Sequence, residues 1–439
     1  MDAKTHCVQP FGGEMVVGGR FAYAGGTLVN SIASWDGQEW TALGAGLGGA
    51  YPIANVLCEY EGALYVGGDF DLAGGLPASN LGKWCAGQWV PTADISGEVG
   101  CMTVYNGDLI VGGGFNFVYW DGHATYTGPI AGSNGSEWFS VGQASGGGAI
   151  DLAVFDGYLV AGGDFYSMGG DPDLDRLARW DGQTWSAFDP SGSDAVSGGL
   201  VKDVEVYRGE LYVAGSFTSI GGRPIRKLAR WDGASWQPFG EEILAAMVYP
   251  NLIELEVYQD ALFVGGYLQV GAPWNTENLM RWDGTEWTAC GLGLNDIVIA
   301  MAIWDDGHGE KLYTAGEFTL VDGVIDSRYI AAWQETPVTA VPDLADADGL
   351  ALNPCTPNPF NSATRLSYSL PEAGAVCLDV LDIRGRRLAT PLAGYQEAGP
   401  HSLVWLAQDD LGNPLASGLY LLRLSAAGAM RMQKIVLAK

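Results

Sequence analysis

Short apolar runs that end in small residues recur along the first three quarters of the chain. Each run is about five residues long and is bounded by turn residues, which predicts a buried β-strand. The final glycines of successive runs lie 49, 45, 50, 52, 51 and 50 residues apart, so one structural unit is repeated. The seven runs are Met15–Gly19, Leu64–Gly68, Leu109–Gly113, Leu159–Gly163, Leu211–Gly215, Leu262–Gly266 and Leu312–Gly316.

A second motif follows most runs by about fifteen residues. It consists of a Trp, the pair Asp-Gly and a second Trp, as in the segments 35–40 and 231–236. Asp-Gly between two strand-like segments predicts a hairpin, because Gly adopts positive φ without steric cost. Ser133 replaces the first Trp in the third unit, and twelve of the sixteen tryptophans belong to this motif.

Each unit therefore divides into four short strands, and the seven units predict an all-β, seven-bladed β-propeller over residues 1–342. A single four-stranded unit cannot bury both of its faces, so the tryptophans should pack between neighbouring blades. The paired glycines should allow the backbone to approach closely near a central axis. Two modes of ring closure stay open. If residues 338–341 are the fourth strand of the last blade, every blade is contiguous in sequence; otherwise one blade borrows a strand from the opposite terminus.

The order of these features resembles the kelch family of propellers. An apolar strand, Gly-Gly, an aromatic-Asp pair and a later Trp are shared, with Trp-Asp here in place of the usual Tyr-Asp. The resemblance covers residues 5–342. It implies a fold and a frequent role in binding, and it implies no reaction.

After residue 342 the repeat stops, and residues 343–349 form a short polar linker. Residues 350–439 alternate between strand-like segments and turns, which predicts a small β-sandwich. The predicted strands are Thr364–Leu370, Val376–Asp382, Arg386–Leu392, His401–Leu406, Gly418–Ser425 and Arg431–Leu437.

The order of motifs in this region resembles the immunoglobulin-like sorting domain of the bacterial type IX secretion system, which is also related to flagellar hook-capping sandwiches. The motif residues are Asn358, Pro359, Phe360, Asn361, Gly385, Arg386, Gly418 and Tyr420. The resemblance implies export to the outer-membrane surface or the medium, with the secretion machinery as a partner. The first residues show no signal peptide, so either the protein is not exported or its natural start lies upstream, and the resemblance favours the second alternative.

Composition and charge narrow the classes of function. Among 439 residues there are 65 glycines, and the net charge of −29 would repel a phosphate backbone, which argues against nucleic-acid binding. No apolar stretch reaches the length of a transmembrane segment. The seven cysteines show no C-x-x-C spacing, so we predict buried free thiols and no metal or other cofactor.

Candidate ligand-binding residues lie in the long loops. The loops that join the second strand to the third, and each unit to the next, should share one face, and repeat proteins bind through the face that accepts insertions. The candidates are Trp120 and Tyr126 in the third unit, Asp171, Asp173 and Asp175 in the fourth, Arg223 and Arg226 in the fifth, and Trp274 in the sixth. Each group has an alternative interpretation. The loop aromatics could pack onto their own blade instead of contacting a ligand. The three aspartates could hold Ca²⁺ or could simply form a solvated acidic loop.

No Ser elbow, phosphate loop or convergent His set is present in the sequence, so no catalytic residue is assigned. We therefore predict an exported surface protein that binds a glycan or protein ligand without catalysis. Two alternatives remain open. One is a secreted carbohydrate-active enzyme that uses acidic residues of the long-loop face, and the other is a structural component of a surface layer.

Overall fold

The protein is nearly all β in each of its two units. The computed structural model describes residues 1–189, 195–248, 250–321, 325–334, 350–356, 358, 360, 363–381, 386–409, 413–426 and 429–437. The chain divides into Met1–Gln334 and Glu335–Lys439. The predicted boundary at residue 342 and the predicted linker 343–349 lie outside the described residues.

The described part of the first unit contains one antiparallel sheet for each sequence repeat, numbered here in chain order. Sheet 1 contains Thr5–Phe11, Glu14–Gly19, Ile32–Trp35 and Trp40–Ala42; sheet 2 contains Ile53–Tyr60, Ala63–Asp69, Leu81–Cys85 and Gln88–Val90; sheet 3 contains Val99–Tyr105, Asp108–Gly113, Ile130–Ser133 and Trp138–Ser140. Sheet 4 contains Ser145–Phe155, Tyr158–Tyr166, Leu177–Trp180 and Trp185–Ser186; sheet 5 contains Val201–Tyr207, Glu210–Gly215, Leu228–Trp231 and Trp236–Pro238.

Sheet 6 contains Asn251–Tyr258, Ala261–Val270, Thr276–Trp282 and Trp287–Ala289; sheet 7 contains Val298–Asp305, Glu310–Gly316 and Ile330–Trp333. The four-stranded pattern predicted for each unit is thus present in sheets 1 to 6. The predicted fourth strand of the last unit, residues 338–341, lies outside the described residues. A 3-10 turn, Met168–Gly170, and a short α-helix, Glu241–Ala246, interrupt the strands.

The Asp-Gly hairpins are present, and the Asp side chain organises each turn. In sheet 5, Oδ1 of Asp232 accepts hydrogen bonds from the backbone N–H groups of Ala234 at 2.9 Å and Ser235 at 2.8 Å. These two donors hold the pKa of Asp232 below its ordinary value. The same pair of bonds is made by Asp36, Asn134, Asp181 and Asp283. The aspartate of the motif therefore has a structural role.

The paired glycines occupy positions where the backbone approaches closely, as predicted. A Cβ on Gly67 would lie 2.5 Å from Cγ1 of Val99, in the first strand of the next sheet. A Cβ on Gly68 would lie 2.0 Å from the carbonyl oxygen of Ile53, in the first strand of its own sheet. Both distances are far inside van der Waals contact, so neither position accommodates a side chain without a shift of the backbone.

The tryptophans of the repeat pack between consecutive sheets, which confirms their predicted role. Trp89 of sheet 2 shares a hydrophobic cluster with Val16 of sheet 1, and Trp236 of sheet 5 shares one with Val160 of sheet 4. Among the described residues, such clusters join sheets 1 and 2, 2 and 3, 3 and 4, 4 and 5, 5 and 6, 6 and 7, and 7 and 1. The order of contacts is therefore cyclic.

Contacts between sheets 7 and 1 complete this cyclic order. Trp35 of sheet 1 packs in one cluster with Trp304 of sheet 7. The hydroxyl of Thr5 accepts a hydrogen bond from the backbone N–H of Gly316 at 2.7 Å and lies 2.5 Å from the carbonyl oxygen of Tyr329, to which it donates. All four strands of sheet 1 come from one contiguous segment, so side-by-side packing joins the two ends of the repeat array.

The two sets of long loops lie on the same side, as predicted, because they pair with each other. Leu72–Ala73, between the second and third strands of sheet 2, pairs with Leu47–Gly48, which precedes that sheet. Asp94–Ile95 pairs in the same way with Phe117–Trp120. The other short strands are Tyr23–Ala24, Thr27–Leu28, Leu76–Pro77, His123–Tyr126, Val196–Ser197, Ser219–Ile220, Leu320–Val321 and Ile325–Asp326.

The second unit contains two antiparallel sheets around one core. One sheet contains Ala351–Thr356, Thr364–Leu370 and Gly399–Trp405, and the other contains Arg387–Gln396, Gly374–Leu381, Gly418–Ala426 and Ala429–Leu437. Leu366 and Tyr368 of the first sheet share a buried cluster with Leu378 and Leu422 of the second. Of the six strands predicted here, Thr364–Leu370 has the predicted ends and the other five are present with shifted ends; Ala351–Thr356 is a seventh strand.

Candidate functional site

An exposed hairpin in the third repeat carries four exposed aromatic residues close together in sequence. It contains the strands Phe117–Trp120 and His123–Tyr126 and turns at Asp121 and Gly122. Phe117 pairs with Tyr126 across the hairpin. Because side chains alternate between the faces of a strand, Phe117, Tyr119 and Tyr126 lie on one face of the hairpin. We call these three residues the aromatic patch.

The rings of the aromatic patch contact one another and remain open to solvent. Their exposed fractions are 39% for Phe117, 46% for Tyr119 and 44% for Tyr126. The ring of Phe117 is stacked on that of Tyr119 with centroids 6.3 Å apart, and it meets the ring of Tyr126 edge-on at 5.3 Å. The patch is thus one continuous aromatic surface.

A cleft of about 420 Å³ adjoins the patch at Tyr126. We call it the Tyr126 cleft. Its other lining residues come from the start of sheet 4 and from the loop after that sheet's second strand, and are Gln143, Ala144, Ser145, Ser167, Gly169 and Gly170. The cleft therefore combines one aromatic residue with neutral polar groups and glycines.

Trp120 and Tyr126 were predicted together, and the structure places them on opposite faces of the same hairpin. Trp120 pairs with His123 and shares its face with Val118, which is fully buried. The indole of Trp120 is 37% exposed. It therefore remains a surface residue, but one directed away from the aromatic patch.

The three candidate aspartates of the fourth repeat organise their own loop. Oδ1 of Asp171 accepts a hydrogen bond from the backbone N–H of Asp173 at 2.9 Å, and Oδ1 of Asp175 accepts one from the backbone N–H of Ser167 at 2.8 Å. Within the described part of the chain, no three His, Cys, Asp or Glu side chains converge to hold a metal ion. These bonds favour the loop role over the Ca²⁺ alternative, and Asp175 positions one wall of the Tyr126 cleft.

The two candidate arginines of the fifth repeat lie apart from the aromatic patch. Both are exposed. Arg223 donates to the carbonyl oxygen of Trp236 at 3.4 Å, within its own repeat. Arg226 lines a separate cavity of about 380 Å³ together with Glu241 and Leu244 of the short helix. The residues that line that cavity do not include any residue of the aromatic patch.

Trp274 packs onto its own sheet, so the structure favours the packing alternative for this residue. Its indole N–H donates to the carbonyl oxygen of Trp287 at 2.8 Å, and its half-buried ring contacts the cluster between sheets 5 and 6. These contacts engage the indole N–H and part of the ring. Stacking of a ligand on the exposed part of Trp274 stays a prediction.

The sequence analysis missed Phe117 and Tyr119, although a signal for them was present. The pair Asp121-Gly122 defines the turn, and two-residue hairpin loops set the register of both strands. That register places Tyr126 opposite Phe117, so the three aromatics of one face can be counted from the sequence. Trp120 was predicted instead because it is a tryptophan that lies outside the repeated Trp motif.

A second group of unusual side chains lies along the first strands of sheets 4 to 6. The carboxylates of Asp151, Asp203 and Glu254 each accept a hydrogen bond from a backbone N–H in the first strand of the next sheet. The donors are Val204 at 2.8 Å, Leu255, and Met301 at 3.1 Å. We call these three residues the carboxylate series. It joins sheets 4, 5, 6 and 7 by one repeated contact.

Burial perturbs the protonation of these acids. It raises the pKa of Asp203 well above its ordinary value, and the charge of Asp151 raises it further. On the same strand faces, burial raises the pKa of Glu205 to about 8, with a contribution from Glu256, and the pKa of Glu256 to about 7. Perturbed carboxyls often mark catalytic sites. The carboxylate series, however, is engaged by backbone donors between sheets, which is a structural role.

In the second unit, residues of the sorting motif fasten the final strand. Oδ1 of Asn358 accepts from the backbone N–H of Val436 at 2.8 Å, and its Nδ2 donates to the carbonyl oxygen of Lys434 at 3.2 Å. The buried ring of Phe360 lies 5.8 Å from that of Trp405. Three further motif residues are described: Arg386 is exposed, Gly418 begins a strand, and Tyr420 donates through Oη to the carbonyl oxygen of Ala416 at 2.6 Å. Pro359, Asn361 and Gly385 lie outside the described residues.

The cysteines are all free thiols, and five of the seven are buried, as predicted. Burial raises the pKa of Cys58 to about 11, mainly because the thiolate would lose its hydration. No helix among the described residues has the length and apolarity needed to span a bilayer.

Comparisons with known proteins reveal only distant likenesses. No protein-family model and no curated protein matches the sequence. Among solved structures, the chain is similar to PorZ, an essential bacterial surface component of the type IX secretion system of Porphyromonas gingivalis, with 14% identity and a TM-score of 0.44 over 100% of this chain and 60% of that one. It is also similar to dimeric latent PorU of the same organism, with 8% identity and a TM-score of 0.19 over 79% of this chain and 33% of that one. Neither likeness is close enough to define a shared topology.

Proposed function

We propose that this protein is exported and displayed on the cell surface, where it binds an extracellular glycan or protein ligand without catalysis. Residues 1–342 would form a kelch-like seven-bladed β-propeller that presents the ligand site, and residues 350–439 an immunoglobulin-like domain that serves as a secretion address. The observation that carries the binding role is the aromatic patch, Phe117, Tyr119 and Tyr126, exposed on the side of the long loops.

The cyclic order of sheet contacts supports the propeller. Each blade would be one repeat, and the inter-sheet tryptophan clusters would be the seams between blades. In such a ring the long loops form a rim on one side, and ligands are commonly bound there because the scaffold is rigid while the loops vary.

The contacts of the sorting motif support an address that must be folded to be read. Asn358 and Phe360 tie the beginning of the second unit to its last strand, Asn358 through its side chain and Phe360 through a backbone N–H that donates to the carbonyl oxygen of Val436 at 3.0 Å. These motif residues therefore stabilise the fold of the domain, and we propose that the secretion machinery recognises the folded domain. A link to type IX secretion rests on the sequence motifs of this region.

Ligand binding without turnover is the first test. The purified protein should bind one class of ligand when it is screened against arrays of glycans and of cell-surface proteins, and the bound glycans should be recovered intact. Combined replacement of Phe117 and Tyr126 by Ala should weaken binding about 10-fold or more, because exposed rings at the centre of a contact carry much of the affinity. Release of reducing sugars, lost on replacing acidic residues of the long loops, would instead establish the enzyme alternative.

Secretion is the second test. The chain should be expressed behind a Sec signal peptide in a host that has the type IX machinery. The full chain should reach the surface or medium, whereas a variant without residues 350–439 should remain in the periplasm. Asn358→Ala should export poorly because it loses both bonds to the final strand, and Asn413→Ala provides a control outside the motif. Normal export of the deletion variant would contradict the address.

A further inference from the structure

We propose that the aromatic patch and the Tyr126 cleft together bind a neutral oligosaccharide. This inference rests on the proposed binding function and names its ligand class. One sugar ring would stack on the patch, and the next would enter the cleft, with Tyr126 as the wall that both share.

The patch offers the kind of surface on which a sugar ring packs. A pyranose presents a face of C–H bonds, and an aromatic ring accepts such a face across its own plane. The near-parallel rings of Phe117 and Tyr119 have centroids 6.3 Å apart and are both exposed, so together they offer a larger aromatic surface than one ring does. Tyr126 stands edge-on to Phe117 and closes one end of it. A chain of several sugar rings would cover this aromatic surface more completely than one apolar side chain of a protein ligand would.

The cleft provides the complementary polar contacts. Its volume of about 420 Å³ lies within the roughly 300–1,000 Å³ that is typical of small-molecule sites. Gln143 and Ser167 bring an amide and a hydroxyl, which can each donate or accept a hydrogen bond, and the hydroxyl of Ser145 can accept one. Sugar hydroxyls also do both, so the lining matches them in kind. A Cβ on Gly170 would meet no other atom within 4 Å, so this wall of the cleft is not crowded.

The polar wall is held in place before any ligand arrives. The backbone N–H of Gly169 donates to the carbonyl oxygen of Gln143 at 2.7 Å, and the hydroxyl of Ser145 donates to the carbonyl oxygen of Tyr166 at 3.2 Å. Asp175 fixes Ser167 from behind. A preorganised wall lowers the entropic cost of binding, which matters for weak ligands such as sugars.

Charge selects neutral sugars over acidic ones. None of the described residues that line the cleft is charged. The nearby Arg176 is already engaged, since it donates to Oη of Tyr166 at 2.6 Å and to the carbonyl oxygen of Val196 at 2.6 Å, and lies over the Tyr166 ring. The whole chain carries a net charge of −29, which repels polyanions at long range. A sulfated, phosphorylated or uronic-acid-rich glycan would meet repulsion without a compensating cation.

The test uses the full chain on an array of neutral oligosaccharides of glucose, galactose, mannose and N-acetylglucosamine, beside matched acidic glycans. The best neutral probe is then titrated by calorimetry. Tyr126→Ala should weaken binding about 10-fold or more, because it removes a ring shared by both subsites. Gln143→Ala should weaken it about 3- to 10-fold through the loss of hydrogen bonds. Tyr51→Ala, at an exposed tyrosine of another loop, should stay within about two-fold. All three variants should unfold at the temperature of the natural chain.

Three results would overturn the inference in distinguishable ways. Binding confined to acidic glycans would reject the neutral class while the proposed binding function survives. Binding of a protein, or of a second copy of this chain, that is lost in Tyr126→Ala would reject a sugar as the occupant and also leave that function standing. Absence of any ligand on glycan and protein arrays alike would reject the inference together with the proposed function.

Discussion

Replacement of Trp89 by Ala should lower the free energy of unfolding by about 3–5 kcal/mol, the range for large aromatic residues removed from a core. The indole is 7% exposed and lies in the cluster between sheets 1 and 2. Its N–H donates to the carbonyl oxygen of Leu43 at 2.7 Å. The truncation would therefore leave a cavity at the junction of two sheets and remove the hydrogen-bond partner of a buried carbonyl.

The chain contains a matched control for this prediction. Trp120→Ala removes the same side chain from a surface hairpin, where the indole is 37% exposed, and should cost less than about 1 kcal/mol. Guanidinium unfolding of the two variants and the natural chain, followed by fluorescence and circular dichroism, gives the comparison. Equal losses for both variants would mean that the repeat tryptophans are not the seams between sheets.

The strands of the repeat could be predicted from sequence because the same short-range turn and glycine motifs recur in each unit. The Asp-Gly hairpins and the glycine pairs depend on backbone geometry that few residues satisfy. Position 133 shows that the strand pairing tolerates the loss of one motif residue. Ser133 takes the place of a tryptophan, yet it still pairs with Trp138 across the hairpin. A single departure changes the packing of one seam without changing the strands.

The helix Glu241–Ala246 was not predicted, for a physical reason. Six residues form little more than one turn and a half, which is too short for an apolar periodicity to be recognised. Its position depends on tertiary contacts, since Ile243 is buried in the cluster between sheets 5 and 6. Local sequence cannot report a contact that exists only after the sheets have assembled.

The candidate site could be predicted only in part. The register of the hairpin follows from Asp121 and Gly122, so the aromatic patch was within reach of the sequence. The Tyr126 cleft was not, because Gln143 and Ser167 come from a different sheet and meet Tyr126 through loop geometry alone. The same limit applies to Trp274, whose hydrogen bond to Trp287 depends on how a long loop folds back.

The acidic first strands illustrate the limit most clearly. Residues 203–206 of the strand Val201–Tyr207 alternate between acidic and apolar, which on its own indicates a strand with one solvated face. In the folded chain that face meets other first strands, and its acids are withdrawn from water. The stability of the folded chain should therefore depend on pH, and the local sequence pattern does not predict this dependence.

Removing the charge of Glu205 and Glu256 should stabilise the protein at alkaline pH. Burial raises the pKa of these carboxyls to about 8 and about 7, whereas in the unfolded chain each would titrate near 4.5. The folded state therefore holds more protons than the unfolded state between pH 4.5 and 8, and stability falls as the pH rises through that window. Their mutual repulsion adds to the effect once both are ionised.

The double variant Glu205→Gln, Glu256→Gln should unfold with a free energy on the order of 2–4 kcal/mol higher than the natural chain at pH 9, after allowance for the part of each side chain that still reaches water. At pH 4.5 the two proteins should be nearly equal, because both carboxyls are then protonated in the folded state. Glu241→Gln plus Glu242→Gln, on the exposed helix, removes the same charge and should shift stability by less than about 1 kcal/mol at either pH. Denaturant titrations from pH 4.5 to 9 measure the difference. A constant offset across that range would mean that the two acids are already ionised at the lowest pH and that their burial has no electrostatic cost.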